Sequence, residues 1–302
     1  MKIVHASPAI RRSAIHLSLI LVLLGTLVQA SGCSTNESEQ EPGARSPSAN
    51  LDPNVAPVTQ GTWYRPGIDV TWQWQLQGAV NTAYDADLYD IDLFEATDEV
   101  IRTLQARGVK ILCYFSAGSA ENFRPDFAQF LDTDLGRTLE GFDDERWVDI
   151  RSQNVVEIME ARLDLAVQRG CDGVEPDNVI AYQSQTGFEL TASDQLAFNR
   201  HLANAAHQRD LAVALKNDGD QANDLVDYFD LELNEQCHQF AECDPLIVFL
   251  QRGKPVLNAE YVGSAADAQS LSATLCPIAN QERLSTLILP VDLDDSFRVS
   301  CR

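Results

Sequence analysis

The chain has 302 residues, of which 45 are acidic and 22 are basic, so its formal net charge is −23. A chain this acidic lacks the basic face that binding to phosphates requires, which excludes nucleic acid as a partner. The same charge favours a cationic ligand, although solubility alone would also explain it.

Residues 1–33 have the features of an export signal. Basic residues precede the apolar run LSLILVLLGTLV, which is too short to span a bilayer. The letters ASGC, which end at Cys33, resemble a bacterial lipobox, in which the cysteine is lipidated and becomes the mature N-terminus. We therefore predict an exported lipoprotein that is anchored through Cys33 at the outer membrane or cell surface. Ordinary secretion is the alternative, because Leu is more usual than Ala at the third position before the cysteine.

Residues 34–60 are rich in Ser, Asn, Glu and Pro and nearly free of large apolar side chains. Such a segment buries too little surface to offset the entropy lost on ordering it, so we predict a disordered tether. The remaining residues, 61–302, have the size of one domain and are predicted to contain the whole fold.

Seven cysteines are present, and six remain when Cys33 is set aside. An even number in an exported chain indicates disulfides, although the sequence alone permits many connectivities. The order of the predicted strands favours the pairs Cys113–Cys171, Cys237–Cys243 and Cys276–Cys301. No CxxC motif occurs and no two histidines have the i, i+4 spacing of a shared zinc site, so we predict no metal and no cofactor.

From residue 70 onward, short apolar runs alternate with longer amphipathic stretches. The eight predicted strands cover 70–76, 89–94, 110–115, 171–176, 211–217, 229–235, 254–260 and 284–290. Helical stretches lie between most of them, and one has Thr191 as its N-cap with Asp194 three residues on. This alternation predicts a single-domain α/β fold, a (β/α)8 TIM barrel. A doubly wound open sheet is the alternative, but G-x-G-x-x-G and Walker A loops are absent from the sequence.

Acidic and amide side chains lie at the C-terminal ends of several predicted strands, where barrel enzymes build their sites. They are Asp92, Glu175, Asp177, Asn217, Glu235 and Glu260, with Lys216 beside them. Their shared position favours an active site over a merely solvated rim. Paired carboxylates suit glycoside cleavage, because one acts as nucleophile or base while the other donates a proton to the leaving oxygen. The long segment 116–151 is predicted to extend over this face as an elaborated βα loop.

Trp72 and Trp74 have the same parity on the first strand, so both face the same way. An indole ring offers a flat apolar surface on which a sugar can stack, and we predict that Trp72 binds substrate. The alternative is that both rings pack outward against helices.

The motifs WQWQLQG, YDIDLFE, CYFSAGSAENFRPD, RWVDIR, GCDGVEPDNV, FDLELNEQC and NAEY, in this order, resemble those of glycoside hydrolase family 114. The resemblance covers residues 63–262 densely. The family consists of endo-α-1,4-polygalactosaminidases and relatives, and its fold is a (β/α)8 barrel. The resemblance therefore implies a polysaccharide substrate with α-1,4-linked galactosamine, which is cationic where the amines are free.

The resemblance also implies roles for individual residues. The catalytic acids of the family match Asp177 of VEPDN and Glu235 of NEQC, and a retaining mechanism is implied, with Asp177 as nucleophile and Glu235 as acid/base. Substrate contacts are expected from Asp92, Tyr114, Glu175, Lys216, Asn217 and Glu260. The chain departs from the family at 179–182, which read VIAY instead of VDGY, and a change there would alter a subsite.

Two other functions compete with this one. The first is a non-catalytic, carbohydrate-binding surface lipoprotein that has kept the barrel, and the second is a surface scaffold whose acids only solubilise it. The pair Asp177 and Glu235 argues against both, because a binding module would need aromatic platforms and not two catalytic acids.

Overall fold

A computed structural model describes residues 47–302 of the chain. The predicted export signal, the lipidation of Cys33 and the first part of the predicted tether lie outside these residues. No helix among residues 47–302 is long and apolar enough to cross a membrane.

Eight parallel strands form the centre of the fold. They are β1 (Trp72–Gln75), β2 (Leu88–Asp92), β3 (Lys110–Ser116), β7 (Gly173–Asp177), β8 (Ala212–Lys216), β9 (Leu231–Glu235), β10 (Val256–Tyr261) and β11 (Ser285–Leu289). They are hydrogen-bonded in that order, and the short strand β12 (Val299–Ser300) joins β11 antiparallel. Each coincides with one of the eight predicted strands to within two or three residues, so the predicted strand set is confirmed.

The sheet curls until its first and last parallel strands meet. The indole Nε1 of Trp72 donates to the carbonyl of Ser285 at 2.8 Å, and the Ser285 hydroxyl donates to the carbonyl of Val70 at 2.8 Å. Apolar side chains from seven of the eight strands then share one interior cluster, which includes Trp74, Leu233 and Leu287. A packed interior of this kind is that of a (β/α)8 barrel and is incompatible with a doubly wound open sheet.

Helices cover the outside of the barrel. They are α1 (Asp98–Ala106), α2 (Gln153–Arg169), α3 (Ala192–His207), α4 (Ala222–Leu225), α5 (Cys237–Phe240), α6 (Ile247–Gln251) and α7 (Ala265–Glu282). The hydroxyl of Thr191 accepts from the backbone N–H of Asp194 at 3.1 Å, while the Asp194 carboxylate accepts from the Thr191 N–H, so the predicted N-cap is confirmed. Residues of one parity on each strand pack beneath these helices, and those of the other parity fill the barrel.

The segment between β3 and α2 forms a separate small sheet. Its strands are β4 (Ser119–Glu121), β5 (Leu135–Leu139) and β6 (Phe142–Val148), with β6 in the centre and antiparallel to both neighbours. Backbone hydrogen bonds join it to the end of β7, since the N–H of Ala117 donates to the carbonyl of Asp177 at 2.8 Å. The insertion is thereby fixed against the C-terminal face of the barrel.

The predicted disordered tether is wrong for residues 47–60. Leu51 and Val55 are partly buried against the main hydrophobic cluster, the Val58 N–H donates to Asn204 at 2.7 Å, and the Tyr228 hydroxyl bonds to the Val55 carbonyl. This segment has too few apolar residues to form a core of its own, but it is ordered because it packs on helices of the barrel. Its prolines also restrict the backbone and lower the entropy lost on ordering.

All three predicted disulfides are present. The Cα–Cα separations are 6.0 Å for Cys113–Cys171, 4.8 Å for Cys237–Cys243 and 4.8 Å for Cys276–Cys301. The first joins β3 to the segment that leads into its neighbour β7, and the second closes the turn that follows β9. The third ties the C-terminus to α7.

Candidate active site

A buried lysine lies between two carboxylates at the C-terminal ends of three adjacent strands. Lys216, which ends β8, is 3% exposed, and its Nζ is 3.0 Å from Asp177 Oδ1 and 3.2 Å from Glu235 Oε2. Asp177 ends β7 and Glu235 ends β9, so the two carboxylates flank the lysine across the sheet. The sequence-predicted pair is therefore brought together by one ammonium group.

Two tyrosines hold the remaining carboxylate oxygens. The Tyr114 hydroxyl donates to Asp177 Oδ2 at 3.3 Å, and the Tyr261 hydroxyl donates to Glu235 Oε1 at 2.6 Å. Asn217 adds a further contact, because its Nδ2 donates to Glu235 Oε2 at 3.2 Å. Burial and the adjacent carboxylates raise the pKa of both tyrosines well above the usual range, so both hydroxyls stay protonated donors.

Below this pair lies a second, fully buried pair of acids. Glu175 Oε1 is 3.3 Å from Lys216 Nζ, and Asp90 lies beside Glu175. Burial raises the pKa of Asp90 to about 7, and burial together with Asp90 raises the pKa of Glu175 well above its usual range. The Trp74 ring completes the floor, with its centroid 5.0 Å from Nζ. The raised pKa values favour the neutral form of these acids, above all of Glu175, so the Lys216 ammonium serves mainly the two carboxylates above.

Lys216 controls the charge of Glu235. Burial alone would raise the pKa of Glu235, but the Lys216 ammonium, with hydrogen bonds from Tyr261 and Asn217, outweighs burial and lowers the pKa. Burial would likewise lower the pKa of Lys216, but Asp177, Glu235 and Glu175 raise it well above the usual range. The unliganded site therefore favours a charged lysine and an ionised Glu235.

Four of the residues predicted to contact substrate are buried or bonded to other residues of the protein. Trp72 is 2% exposed inside the barrel and cannot stack on a sugar, so both the predicted role and the alternative of outward packing are wrong. Glu175 is 0% exposed beneath Lys216 and has no surface to offer a substrate. Strand parity predicts that two residues share a face, but it does not determine whether that face is reached by solvent.

Asp92 and Glu260 are occupied by other partners. Both oxygens of Asp92 accept from the guanidinium of Arg124, at 2.9 and 2.6 Å. Glu260 has the parity that points towards the helices, and its Oε1 accepts from the His238 N–H at 2.9 Å and from Asn258 Nδ2 at 3.0 Å. The predicted contacts that do join the site are Tyr114, Lys216 and Asn217.

Sequence reasoning missed Tyr261 and Asp90. Tyr261 directly follows Glu260 in NAEY and ends β10, so the same strand-end rule that selected Glu260 would have found it. Asp90 is two residues before Asp92 and has the same parity. We looked only for acids at the ends of strands, so Tyr261 was missed because it is not an acid and Asp90 because it lies one layer below the strand end.

One group of residues in the described part of the chain has the spacing of metal ligands, namely Cys237, His238 and Cys243. The two cysteines are joined in a disulfide, so neither offers a thiolate. His238 is instead held by Glu282 at 2.9 Å and by Glu260 at 3.4 Å.

Comparisons with known proteins agree with this architecture. The model of glycoside-hydrolase family GH114 matches residues 53–302. The crystal structure of Aspergillus fumigatus Ega3 in complex with galactosamine is 40% identical in sequence, with a TM-score of 0.75 over 80% of this chain and 99% of that one. The glycoside hydrolase domain of PelA from Pseudomonas aeruginosa is 13% identical, with a TM-score of 0.61 over 76% of this chain and 97% of that one. At that identity it supports the fold alone.

A comparison with curated proteins found no match. The family model nevertheless matches most of the chain, and a sequence identity of 40% over 80% of the chain is high enough to place it in the same family as Ega3. The protein is a glycosidase, and the chain belongs to glycoside-hydrolase family GH114.

Proposed function

We propose that this glycosidase is an endo-acting, retaining enzyme that cleaves α-1,4-linked galactosamine polysaccharide outside the cell. Asp177 is the nucleophile and Glu235 is the acid/base. The observation that carries the proposal is the single ammonium of Lys216 in contact with both carboxylates. The galactosamine bound by the 40% identical Ega3 supports the identity of the sugar.

The spacing of the carboxylates supports retention. Because Lys216 Nζ lies 3.0 Å from Asp177 Oδ1 and 3.2 Å from Glu235 Oε2, these two oxygens are at most about 6.2 Å apart. Retaining enzymes separate their carboxyl groups by about 5–5.5 Å, and inverting enzymes by about 6.5–9.5 Å to admit a water molecule. The contacts favour the retaining class.

The reaction then has two steps. An Asp177 oxygen bonds to the anomeric carbon as the glycosidic C–O bond breaks, and Glu235 gives its proton to the leaving oxygen. Water next attacks the same carbon, Glu235 accepts the proton of that water, and Asp177 is released. The unliganded site favours ionised Glu235, so Glu235 must become protonated when the sugar binds. A bound sugar favours the protonated form by excluding water, which raises the pKa of Glu235.

Charge supports an unacetylated substrate. The chain carries a formal net charge of −23, and the site contains more carboxyl groups than cations among its described residues. A carboxylate about 4 Å from a substrate ammonium contributes roughly 1 kcal/mol at water-like screening and several times that when partly buried. This favours galactosamine over N-acetylgalactosamine.

We also propose that the protein is exported and anchored to a membrane through a lipid on Cys33. The leader of residues 1–33 supports export. Three disulfides support an oxidising compartment outside the cytosol.

Reducing-end release from polygalactosamine, N-acetylated polygalactosamine and polygalactose tests the proposal. We expect new reducing ends from the first, far fewer from the others, and an α-anomer as the first product by NMR. Asp177→Asn is the inactive control. A β-anomer would reject retention, and equal cleavage of all three polymers would reject the specificity for the free amine.

A further inference from the structure

A polar chain links the proposed nucleophile to a carboxyl group on the inserted small sheet. Asn178, directly after Asp177, has a positive φ of 60°, and its N–H donates to Asp177 Oδ1 at 2.7 Å. Its side-chain Nδ2 donates to Ser116 Oγ at 2.9 Å and faces Glu145 Oε1 at 3.4 Å. The orientation of the Asp177 carboxylate therefore depends on the conformation of Asn178.

Hydrogen bonds complete the chain from Asn178 to the insertion. The hydroxyls of Ser116 and Ser119 are hydrogen-bonded to each other, and Ser119 donates to Glu145. Both serines are 0% exposed and Glu145 is 7% exposed. Ser119 lies on β4 and Glu145 on β6, so the chain leaves the barrel and enters the small sheet.

The backbones of the two parts are in close contact. The N–H groups of Ala117 and Gly118 donate to the Asp177 carbonyl at 2.8 and 3.1 Å. A Cβ on Gly118 would lie 1.9 Å from the carbonyl oxygen of Asn178, so only glycine allows this approach. The insertion thus holds Asp177 and Asn178 through the main chain as well as through side chains.

We propose that Glu145 is a positioning residue for the proposed nucleophile Asp177, acting as a neutral carboxyl group through Ser119, Ser116 and Asn178. The inference rests on the proposed function of Asp177. The small sheet between β3 and α2 is then part of the catalytic apparatus and supports the carboxylate that attacks the sugar.

The surroundings of Glu145 favour its neutral form. Glu121 on β4, Asp177 on β7 and Tyr114 on β3 face it, and the nearby Arg124 is already paired with Glu121 and Asp92. Burial is the main cause, and Glu121 adds to it, so that the pKa of Glu145 is raised to about 8. Ionisation above that pH would place a new anion beside Asp177 and strengthen the pull of Glu145 on Ser119 and Asn178, which changes how Asn178 holds Asp177.

The test measures the pH dependence of kcat for the wild type, Glu145→Gln and Glu145→Ala, with α-galactosaminyl fluoride as the substrate. Fluoride leaves with little protonation, so loss of the acid form of Glu235 does not obscure the alkaline part of the profile. Lys216, Tyr114 and Tyr261 titrate well above their usual ranges. The amine of the substrate titrates equally in every variant. Asp144→Asn, at the exposed neighbouring position on β6, is the matched control.

We expect kcat of the wild type to fall above about pH 8. Glu145→Gln should reduce that fall to the part that Asp90 and the substrate amine cause in every variant, while keeping kcat at pH 6 within about threefold. Glu145→Ala should lower kcat about tenfold or more with KM little changed, as loss of a supporting hydrogen-bond partner does. Asp144→Asn should match the wild type. An identical alkaline fall in wild type and Glu145→Gln, or an unchanged kcat in Glu145→Ala, would overturn the proposal.

A second measurement needs no turnover. The side-chain amide resonances of Asn178 should shift with a midpoint near pH 8 in the wild type and stay constant in Glu145→Gln. If no substrate is cleaved but this titration is present, the proposed function fails while the link between Glu145 and Asn178 stands. A pH-independent Asn178 amide in the wild type would reject the link itself.

Discussion

The Nζ of Lys216 lies 3.2 Å from Glu235 Oε2, and this contact governs the charge of the proposed acid/base. The two residues end neighbouring strands, and Lys216 is fully enclosed by the site. A permanent cation beside an acid that must carry a proton during catalysis favours the form that cannot donate it. The pH dependence of the enzyme should reflect this opposition.

Replacing Lys216 with methionine tests this effect. In the free enzyme, kcat/KM should fall as pH rises through the pKa of Glu235, which Lys216 helps to lower. Lys216→Met removes the cation, so the pKa of Glu235 rises and the basic limb of the profile moves to higher pH. We expect kcat at the optimum to drop at least tenfold, because Asp177 also loses its partner. A basic limb at unchanged pH would contradict this account of Glu235.

Removing the Tyr261 hydroxyl should impair catalysis. Tyr261→Phe deletes the 2.6 Å hydrogen bond to Glu235 Oε1, and a hydrogen bond to a charged group is worth about 1.5–3 kcal/mol. We expect kcat/KM to fall about tenfold or more. Tyr228→Phe is the matched control, since its hydroxyl bonds to the Val55 carbonyl and not to any residue of the cluster. Equal losses in both variants would argue for a general packing defect.

The two carboxylates should respond differently to the leaving group. Asp177→Asn removes the nucleophile, so turnover of every substrate should fall by several orders of magnitude while substrate binding persists. Glu235→Gln removes the proton donor, so the loss should be smallest for aryl glycosides whose phenol leaves without protonation. Plots of log kcat against the pKa of the leaving group measure this. The assignment of roles would be reversed if Asp177→Asn, and not Glu235→Gln, were sensitive to the leaving group.

The buried acid Glu232 should make the fold sensitive to alkaline pH. It is 0% exposed, and its carboxylate oxygens have no hydrogen-bond partner among the described residues. Burial, and then Asp218, raise its pKa well above the usual range. An acid whose pKa is raised by folding contributes stability below its unfolded pKa, and this contribution is lost as pH rises towards the folded value.

Glu232→Gln should therefore raise the melting temperature more at pH 8 than at pH 5, by at least about 2–4 °C, which corresponds to about 1 kcal/mol for a domain of this size. Thermal unfolding at both pH values measures the effect. Glu157→Gln on the exposed face of α2 is the control and should show no such difference. A stabilisation equal at both pH values would exclude ionisation of Glu232 as the cause.

Local sequence was sufficient for much of the architecture. The eight strands were predicted because buried parallel strands are short, continuous apolar runs, and the helix at Thr191 was predicted because its cap is made by residues three apart. The three disulfide pairs were favoured among many possible connectivities, and strand order favoured Cys113–Cys171 because β3 and β7 are neighbours. The ends of parallel strands meet at one face, which placed Asp177 and Glu235 among several candidate acids, and the family resemblance selected these two as the catalytic pair.

Tertiary structure decided what each of these side chains contacts. The alternation of a strand determines that Trp72 and Trp74 share a face, but only closure of the barrel made that face a packed interior. The same alternation turned Glu260 towards the helices and Tyr261 towards Glu235. Residues 47–60 are ordered because other parts of the chain supply their partners. Composition and periodicity describe a segment by itself, whereas burial and hydrogen bonding depend on neighbours that are distant in sequence.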